Sequence, residues 1–275
     1  MSTLRELKRR IKSVTSTRQM TQAMKMVSVS KYNRALARCS AFEPYEAQCR
    51  RLIEAVGGGA LTLPRDREVK SVCYVVLTGN RGLCGDYNQV VLRLLRETLQ
   101  TQTLPYQVLI CGRWGHENAP DIPHETIELD DIPTWEQSGA LARRLLELFR
   151  SGQADEIYFV YQRFINVLTR QPCSQRFLPQ EEASPQTAAD YLFEPDREAL
   201  LNALLERCLF AQVYGLLLSA ATGFHGAMMM TMRSAADNSQ AMLESLSLTM
   251  NRLRQSSVTT QVLEISSAAM QEENL

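Results

Sequence analysis

Leu4-Arg-Glu-Leu-Lys-Arg-Arg-Ile-Lys-Ser-Val14 near one end of the chain and Leu243-Glu-Ser-Leu-Ser-Leu-Thr-Met-Asn-Arg-Leu253 near the other carry the same pattern. Apolar residues step by three and four: Leu4, Leu7, Ile11 and Val14 in the first, Leu243, Leu246, Met250 and Leu253 in the second, continued by Val258, Val262, Ile265 and Ala269. Such spacing lays a narrow apolar stripe along one helix face. Residues 1–43 and 227–275 contain neither glycine nor proline, so each reads as one long helix, roughly 60–75 Å at 1.5 Å per residue. Globular helices average about 11–12 residues, and ends of this length call for a partner. A narrow stripe suits a two-stranded coiled-coil seam, and stripes at opposite ends of one chain predict an antiparallel pair. Two ordinary amphipathic helices on a globular core would give a similar pattern. The stripes are also imperfect: Thr17, Arg18 and Thr21 interrupt the first, Thr259 and Thr260 the second. Pro44 is expected to kink or restart the first helix, because it lacks a backbone donor and clashes with the preceding turn. Tyr45 to Val56 then continue as helix until Gly57-Gly58-Gly59.

Between about residues 69 and 190 the pattern becomes alternating strand and helix. Val72-Cys-Tyr-Val-Val-Leu77 is a continuous apolar run, as in a strand covered on both faces. A glycine-rich turn follows, then a helix over Asp86–Thr101, a strand Gln107–Cys111, a second glycine turn, a helix Trp135–Phe149 and a strand Glu156–Tyr161. The β-α-β-α-β order implies a small, mainly parallel, Rossmann-like sheet with right-handed crossovers. Leu178 to Thr187 reads as an exit linker. Leu209 to Phe224 is the most apolar stretch, too short at about 16 residues for the roughly 20 that span a bilayer; it reads as helix buried against the middle domain. The chain thus divides into an N-terminal coiled-coil helix (1–58), a central α/β domain (69–190) and a C-terminal coiled-coil helix (196–275).

The formal charge is zero over 275 residues, but it is segregated. Residues 1–51 hold twelve Lys/Arg against Glu6, Glu43 and Glu46, and residues 196–275 hold five basic and eight acidic residues. A basic helix lying on a mildly acidic one is favourable, and a positive rod could also approach nucleic acid or an acidic protein surface. The seven cysteines (39, 49, 73, 84, 111, 173, 208) form no Cys-x-x-Cys pair and lack a histidine at ligand spacing. They read as small hydrophobes in a reducing compartment, with no metal site.

The tempting chemical motif is Thr78-Gly-Asn-Arg-Gly-Leu-Cys-Gly-Asp-Tyr-Asn88. Glycine turns between strand and helix can hold phosphate on helix N-terminal amides. Here the glycines run G-x-x-G-x-x-G, which fits neither the dinucleotide fingerprint nor the P-loop. Asp86 at the helix start would repel a phosphate while favouring the helix dipole. A structural turn built on Arg81, Gly82, Gly85 and Asn88 is the better reading. His116, His124 and His225 are scattered, and no nucleophile–base pair or carboxylate pair stands out. The residues point to no catalytic group and no cofactor.

Leu7-Lys-Arg-Arg-Ile-Lys-Ser-Val14, Thr17-Arg-Gln-Met-Thr-Gln-Ala-Met-Lys-Met-Val27 and Ser30-Lys31 resemble the gamma subunit of F-type ATP synthases. Arg81-Gly-Leu-Cys-Gly85 with Asn88 resembles that family's R-G-L-C-G-x-x-N turn. Met232-Arg-Ser-Ala-Ala-Asp-Asn238, Asn251-Arg-Leu-Arg-Gln255 and Thr259 to Ile265 resemble its C-terminal motifs. The motifs stand in the right order over nearly the whole chain. There are departures. The family usually has glycine at Asp86 and an acid and an arginine at Phe224 and Met228. Its T-Q-E-L-T-E-I ending is matched only at Thr259, Glu264 and Ile265. These positions are expected near sites where the family's rotor touches its surroundings.

The resemblance implies a non-catalytic rotary shaft. Its helices would wind inside a 3:3 ring of alpha and beta subunits, and its α/β domain would bind the epsilon subunit and the membrane c-ring. Ion flow would turn the ring, and the shaft would meet the three catalytic subunits differently at each angle. Arg18, Met24, Lys25 and Lys31 are the candidates for meeting acidic loops of the ring, with Arg254 and Gln255 matching positions near a beta-subunit loop and Thr259 a further rotor–stator contact candidate. The small, weakly polar helix Val258–Met270 suits a bearing, where a fixed ion pair would add a barrier to rotation. A bacterial protein, peripheral on the cytoplasmic membrane face without a span of its own, is expected. Two other classes carry distinct expectations. An α/β nucleotide-binding protein with helical extensions needs a ligand at Gly79–Gly85. A basic coiled-coil nucleic-acid binder needs interleaved aromatics, which apart from Tyr32 are missing, so no nucleic-acid partner is expected.

Overall fold

Strand β1 (Val72–Leu77) is buried at every residue, and the rest of the sheet is organised around it. The computed structural model describes residues 4–55, 68–179 and 197–272. They form ten elements: α1 (Leu4–Ala55), β1, α2 (Tyr87–Thr101), β2 (Tyr106–Cys111), α3 (Arg113–Glu117), β3 (Glu125–Ile127), α4 (Trp135–Ser151), β4 (Glu156–Phe164), β5 (Arg170–Leu178) and α5 (Arg197–Glu272). They fall into two units, Ser28–Met230 and a helical unit of Met1–Val27 with Thr231–Leu275.

In the larger unit the strand order is β3-β2-β1-β4-β5, parallel throughout except for the antiparallel β4–β5 pair. The direction of progression reverses at β1, so right-handed crossovers must place α2 and α4 on opposite faces. They do. Cys73, Val75 and Leu77 of β1 face α4 and the Leu209–Ala220 part of α5; Val72, Tyr74 and Val76 face α2. The continuous apolar run is thus two alternating sets, each buried in its own core. The stretch Leu209–Phe224 packs on this sheet as expected, although an apolar window within Glu206–Leu263 is also long enough to cross a membrane. Helix α4 is fixed by a capping box, with the Thr134 hydroxyl and the Gln137 side chain each bonding the other's backbone N–H, and by Gly152 in the left-handed region at its end.

Three expectations need correction. The sheet has five strands where three were read, and Leu178, assigned to the exit linker, closes β5; residues 180–187 lie outside the described residues, as do Val56 and Gly57–Gly59. Helix α1 does not restart at Pro44 but is helical through it to Ala55. The lost bond and clash cost about 3 kcal/mol. Phe42 and Tyr45, on either side, offset this by packing with Trp135 and Tyr214 at centroid separations of 4.8–6.5 Å, one tilted and two edge-on, pairs worth about 0.5–1.5 kcal/mol each. In this unit α1 runs antiparallel to α5: Tyr32 lies against Gly226 and Glu46 against Gly215, and Cys49 accepts at its carbonyl from the Cys208 thiol at 3.4 Å.

The third correction concerns the helical unit. Leu7 is buried, and Leu4, Ile11, Val14, Leu243, Leu246, Met250 and Leu253 are half-buried, as a two-helix seam requires. The interrupting threonines are accommodated: the hydroxyls of Thr17, Thr21, Thr259 and Thr260 each bond a carbonyl of their own helix. The seam stops early, however. Val258, Val262, Leu263 and Ile265 are 52, 59, 64 and 71 % exposed. Arg18 donates to Gln240, and in an antiparallel pair that register sets Leu4 opposite residue 254. From Gln255 onward α5 lies beyond Leu4, the first described residue of α1, so among the described residues of this unit the second half of the expected stripe has no partner helix.

Candidate functional site: the carboxyl-edge turn and the helical arm

Where strand order reverses in an open parallel sheet, the crevice outside the strands' carboxyl ends is the usual ligand site. Here the turn after β1 occupies it. Thr78 donates its hydroxyl to the Cys111 carbonyl at 2.9 Å. Asn88, buried at the start of α2, accepts from the Gly79 amide at 2.9 Å and donates to the Arg81 carbonyl at 3.1 Å, so one side chain ties both limbs of the turn. Leu83 and Gly85 take φ of 62° and 66°. Asp86, with φ −89°, needs no glycine; that departure from the family pattern is free of backbone strain. It makes no capping bond with its side chain.

The crevice above this turn is filled from within the unit. The Phe224 ring stands directly on Gly79, where a Cβ would come within 2.1 Å of it, and meets Tyr87 edge-on at 5.7 Å. Tyr87 donates its hydroxyl to the Ala220 carbonyl at 2.9 Å and accepts at its own carbonyl from Gln162 at 2.8 Å. Burial pushes the Tyr87 phenol well above its ordinary range. The remaining cavity, lined by Leu77, Gly79, Tyr87 and Phe224 among others, is about 40 Å³, space for a few water molecules and none for a nucleotide. Phe224 and Met228, expected near an external contact, are 5 and 7 % exposed. They serve internal packing.

Asp131 is the polar hub that sequence reasoning missed. It pairs with Lys31 of α1 and accepts from Asn80 at 3.2 Å, and its carbonyl accepts from His225 Nε2 of α5 at 2.9 Å. Burial would raise its pKa, but the Lys31 ammonium and Asn80 amide outweigh that and hold it below the usual carboxylate value. Because His225 donates from Nε2, its Nδ1 is the bare nitrogen, and it is buried without a hydrogen-bond partner among the described residues. Desolvation lowers the His225 pKa. The partners of Asp131 come from positions about 50 to 100 residues away, which no local motif could reveal.

His116 and His124 are not scattered. Their Nδ1 and Nε2 lie 2.9 Å apart. His124 Nδ1 sits 2.7 Å from the Ile122 carbonyl and must donate to it, so in the neutral pair His116 donates to His124. Among the described residues no group of three or more His, Cys, Asp or Glu is placed to hold a metal. The cysteines are free, and burial pushes Cys73 and Cys111 up to about 12, which makes them unreactive core residues.

The stator candidates are divided between the units. Arg18, Met24 and Lys25 are half-buried on α1 of the helical unit, and Arg254, Gln255 and Thr259 are exposed on α5 of the same unit. Lys31 belongs to the larger unit, with its ammonium committed to Asp131. Glycine-turn residues Arg81, Gly82, Gly85 and Asn88 are together in the carboxyl-edge turn.

Comparison with known proteins matches nearly the whole chain. A family model described as ATP synthase matches residues 3–270. The ATP synthase gamma chain of Moorella thermoacetica is 37% identical, covering 98% of this chain and 99% of its own length. That of Desulforamulus reducens is 34% identical over 96% and 97%. Among solved structures, a chain of the Euglena gracilis mitochondrial ATP synthase OSCP/F1/c-ring assembly superposes with TM-score 0.68 at 17% identity, covering 97% of this chain and 93% of that one. A chain of the Tetrahymena thermophila central stalk/c-ring structure gives 0.59 at 20% identity over 78% and 99%. At those identities the structural matches speak to the fold, and the fold they share is that of long terminal helices with a mostly parallel five-strand sheet. The relatives at 34–37% identity over nearly full length, together with the family match, establish that this chain belongs to the ATP synthase gamma-chain family.

Proposed function

We propose that the chain is the central shaft of an F-type ATP synthase. It couples ion flow through a membrane c-ring to ATP synthesis and hydrolysis at the beta subunits of a 3:3 alpha/beta ring, and supplies no catalytic group itself. The observation that carries the reading is the tip of α5. Val258, Val262, Leu263 and Ile265 are more than half exposed on the part of α5 that lies beyond the described residues of α1. Apolar residues left open on an extended tip fit insertion into an apolar sleeve, and that segment carries no Lys or Arg from Val258 to Glu272, so no cationic contact fixes one angle.

A shaft of this kind acts as a moving protein ligand. It shifts open and closed catalytic sites only as far as it binds them differently. Arg18, Met24 and Lys25 on α1 and Arg254, Gln255 and Thr259 on α5 supply the angle-dependent contacts. The larger unit binds epsilon and the c-ring, on the cytoplasmic face of a bacterial membrane. The filled carboxyl-edge crevice weighs against the alternative of a nucleotide held at Gly79–Gly85.

Native mass spectrometry of the complex purified from its host tests this: one copy with three each of two nucleotide-binding chains is expected. Cross-linking the arm to that ring through Lys25 should then stop ATP turnover, with recovery when the link is cleaved. A lone chain or homodimer, or full turnover after complete cross-linking, would sink the reading.

A further inference from the structure

A second cavity lies in the larger unit, outside the filled crevice. It is an open cleft of about 990 Å³ between α1 and the loops at the carboxyl edge of β1, β2 and β3. Arg34 and Arg38, one turn apart on α1, line it together with Arg81 of the turn after β1 and Arg113 at the start of α3. All four are exposed, and none of the four guanidinium groups makes a hydrogen bond or ion pair among the described residues. Lys31 is also in the wall but is paired with Asp131, so it contributes little free charge. Glu128 and Asp130 also line the cleft.

From this convergence we infer that the cleft binds a polyphosphate anion as its magnesium complex. The unpaired cations are all arginine, whose planar fork matches phosphate oxygens two at a time, where lysine offers only a point charge. They come from three separate elements and meet at one cavity, unlike the basic run Arg5 to Lys12, which sits on a single helix. The volume is that of a small-molecule site, and a walled cleft of this size favours a compact anion over an extended acidic chain. The two carboxylates would oppose bare phosphate, but they face a magnesium-neutralised one favourably. This site is independent of the rotary reading, and it stands or falls without it.

Calorimetric titration of the full-length chain with inorganic tripolyphosphate in excess MgCl2 tests the assignment. Saturable one-site binding is expected, weakening steeply with added salt. The double variant Arg34→Gln/Arg38→Gln, both at exposed positions, should melt at the wild-type temperature and bind about tenfold or more weakly, a loss of about 1.4 kcal/mol or more. Arg9→Gln/Arg10→Gln should bind as wild type. Absence of binding, equal losses in both double variants, or tighter binding on chelation of the magnesium would overturn it. So would a deca-glutamate peptide that displaces tripolyphosphate at lower concentration than tripolyphosphate itself, which would make the cleft a dock for an acidic protein segment.

Discussion

The two units spend their apolar residues in opposite ways. In the sheet, every residue of β1 is buried, and its two alternating faces are claimed by different helices. On the tip of α5, Val258, Val262, Leu263 and Ile265 follow a helical stripe and remain open. Both patterns are hydrophobic periodicity, and periodicity alone does not say whether a partner exists. The register decides it: with Arg18 opposite Gln240, the described part of α1 covers the α5 stripe only as far as about residue 254, and the stripe is exposed beyond it. The difference separates residues that hold the sheet core from residues left exposed on α5, which the proposed shaft would present to its ring, and substitutions can break or sharpen it.

The largest effect should come from the sheet core. Phe159 is fully buried in β4 and meets Phe177 edge-on at 5.2 Å. Phe159→Ala should cost about 3–5 kcal/mol, from lost transfer energy and the cavity left behind, read as a lower urea midpoint with unchanged slope. A loss under about 1 kcal/mol would mean the larger unit is not organised around this sheet. Asn88→Ala comes next. It leaves the Gly79 amide and the Arg81 carbonyl without the partner they have now, at about 1–3 kcal/mol for the buried unsatisfied group. Asn88→Asp separates the two bonds, because the carboxylate can still accept from Gly79 but cannot donate to Arg81.

How much of this was legible follows from the same contrast. β1, α2, α4 and the burial of Leu209–Phe224 could be read because each is periodic or continuously apolar. β5 could not. Its sequence Arg-Gln-Pro-Cys-Ser-Gln-Arg is polar and mostly exposed, and Pro172 argues against a central strand but is tolerated at an edge, where β5 lies. β3 is three residues long and follows Pro123, too short for any period to show. The turn motif was visible as glycine spacing, whereas its closure by Asn88 on both limbs is a property of the fold. The arginines of the cleft, Arg34 and Arg38 on α1, Arg81 in the turn and Arg113 at the start of α3, lie far apart in sequence, and only the fold brings them to one cavity.

A smaller effect should appear with pH. His225 packs against Asp131, with Lys31 and Arg34 of α1 nearby, and desolvation lowers its pKa. The unfolded chain takes up this proton near the ordinary histidine value of about 6.5, before the folded chain does. The unfolded state therefore binds more protons below that pH, and stability falls as pH drops from there toward the lowered folded value. One proton limits the slope to about 1.4 kcal/mol per pH unit. His225→Gln can keep a donor to the Asp131 carbonyl and removes the titration. Urea midpoints at pH 7.5 and 5.5 should therefore differ less in that variant than in wild type. Equal differences would show that His225 is not the buried neutral group inferred from its unpaired Nδ1.

The smallest effect on the isolated chain is expected where the functional effect should be largest. Arg254 is exposed on α5 at the end of the seam, with no hydrogen bond or ion pair among the described residues. Arg254→Glu should change stability by less than about 0.5 kcal/mol, since neither a packed contact nor a paired charge is lost. In the assembled ATP synthase, reversal places an acid where the arm is proposed to meet a beta-subunit loop, and only contacts that differ between rotary angles can transmit work. Ion pumping driven by ATP hydrolysis should fall relative to ATP turnover, while the melting curve of the isolated chain stays in place. A melting point lowered by several degrees would instead put Arg254 among the stabilising residues and erase the distinction between a sheet that holds the fold and an arm that carries the contacts.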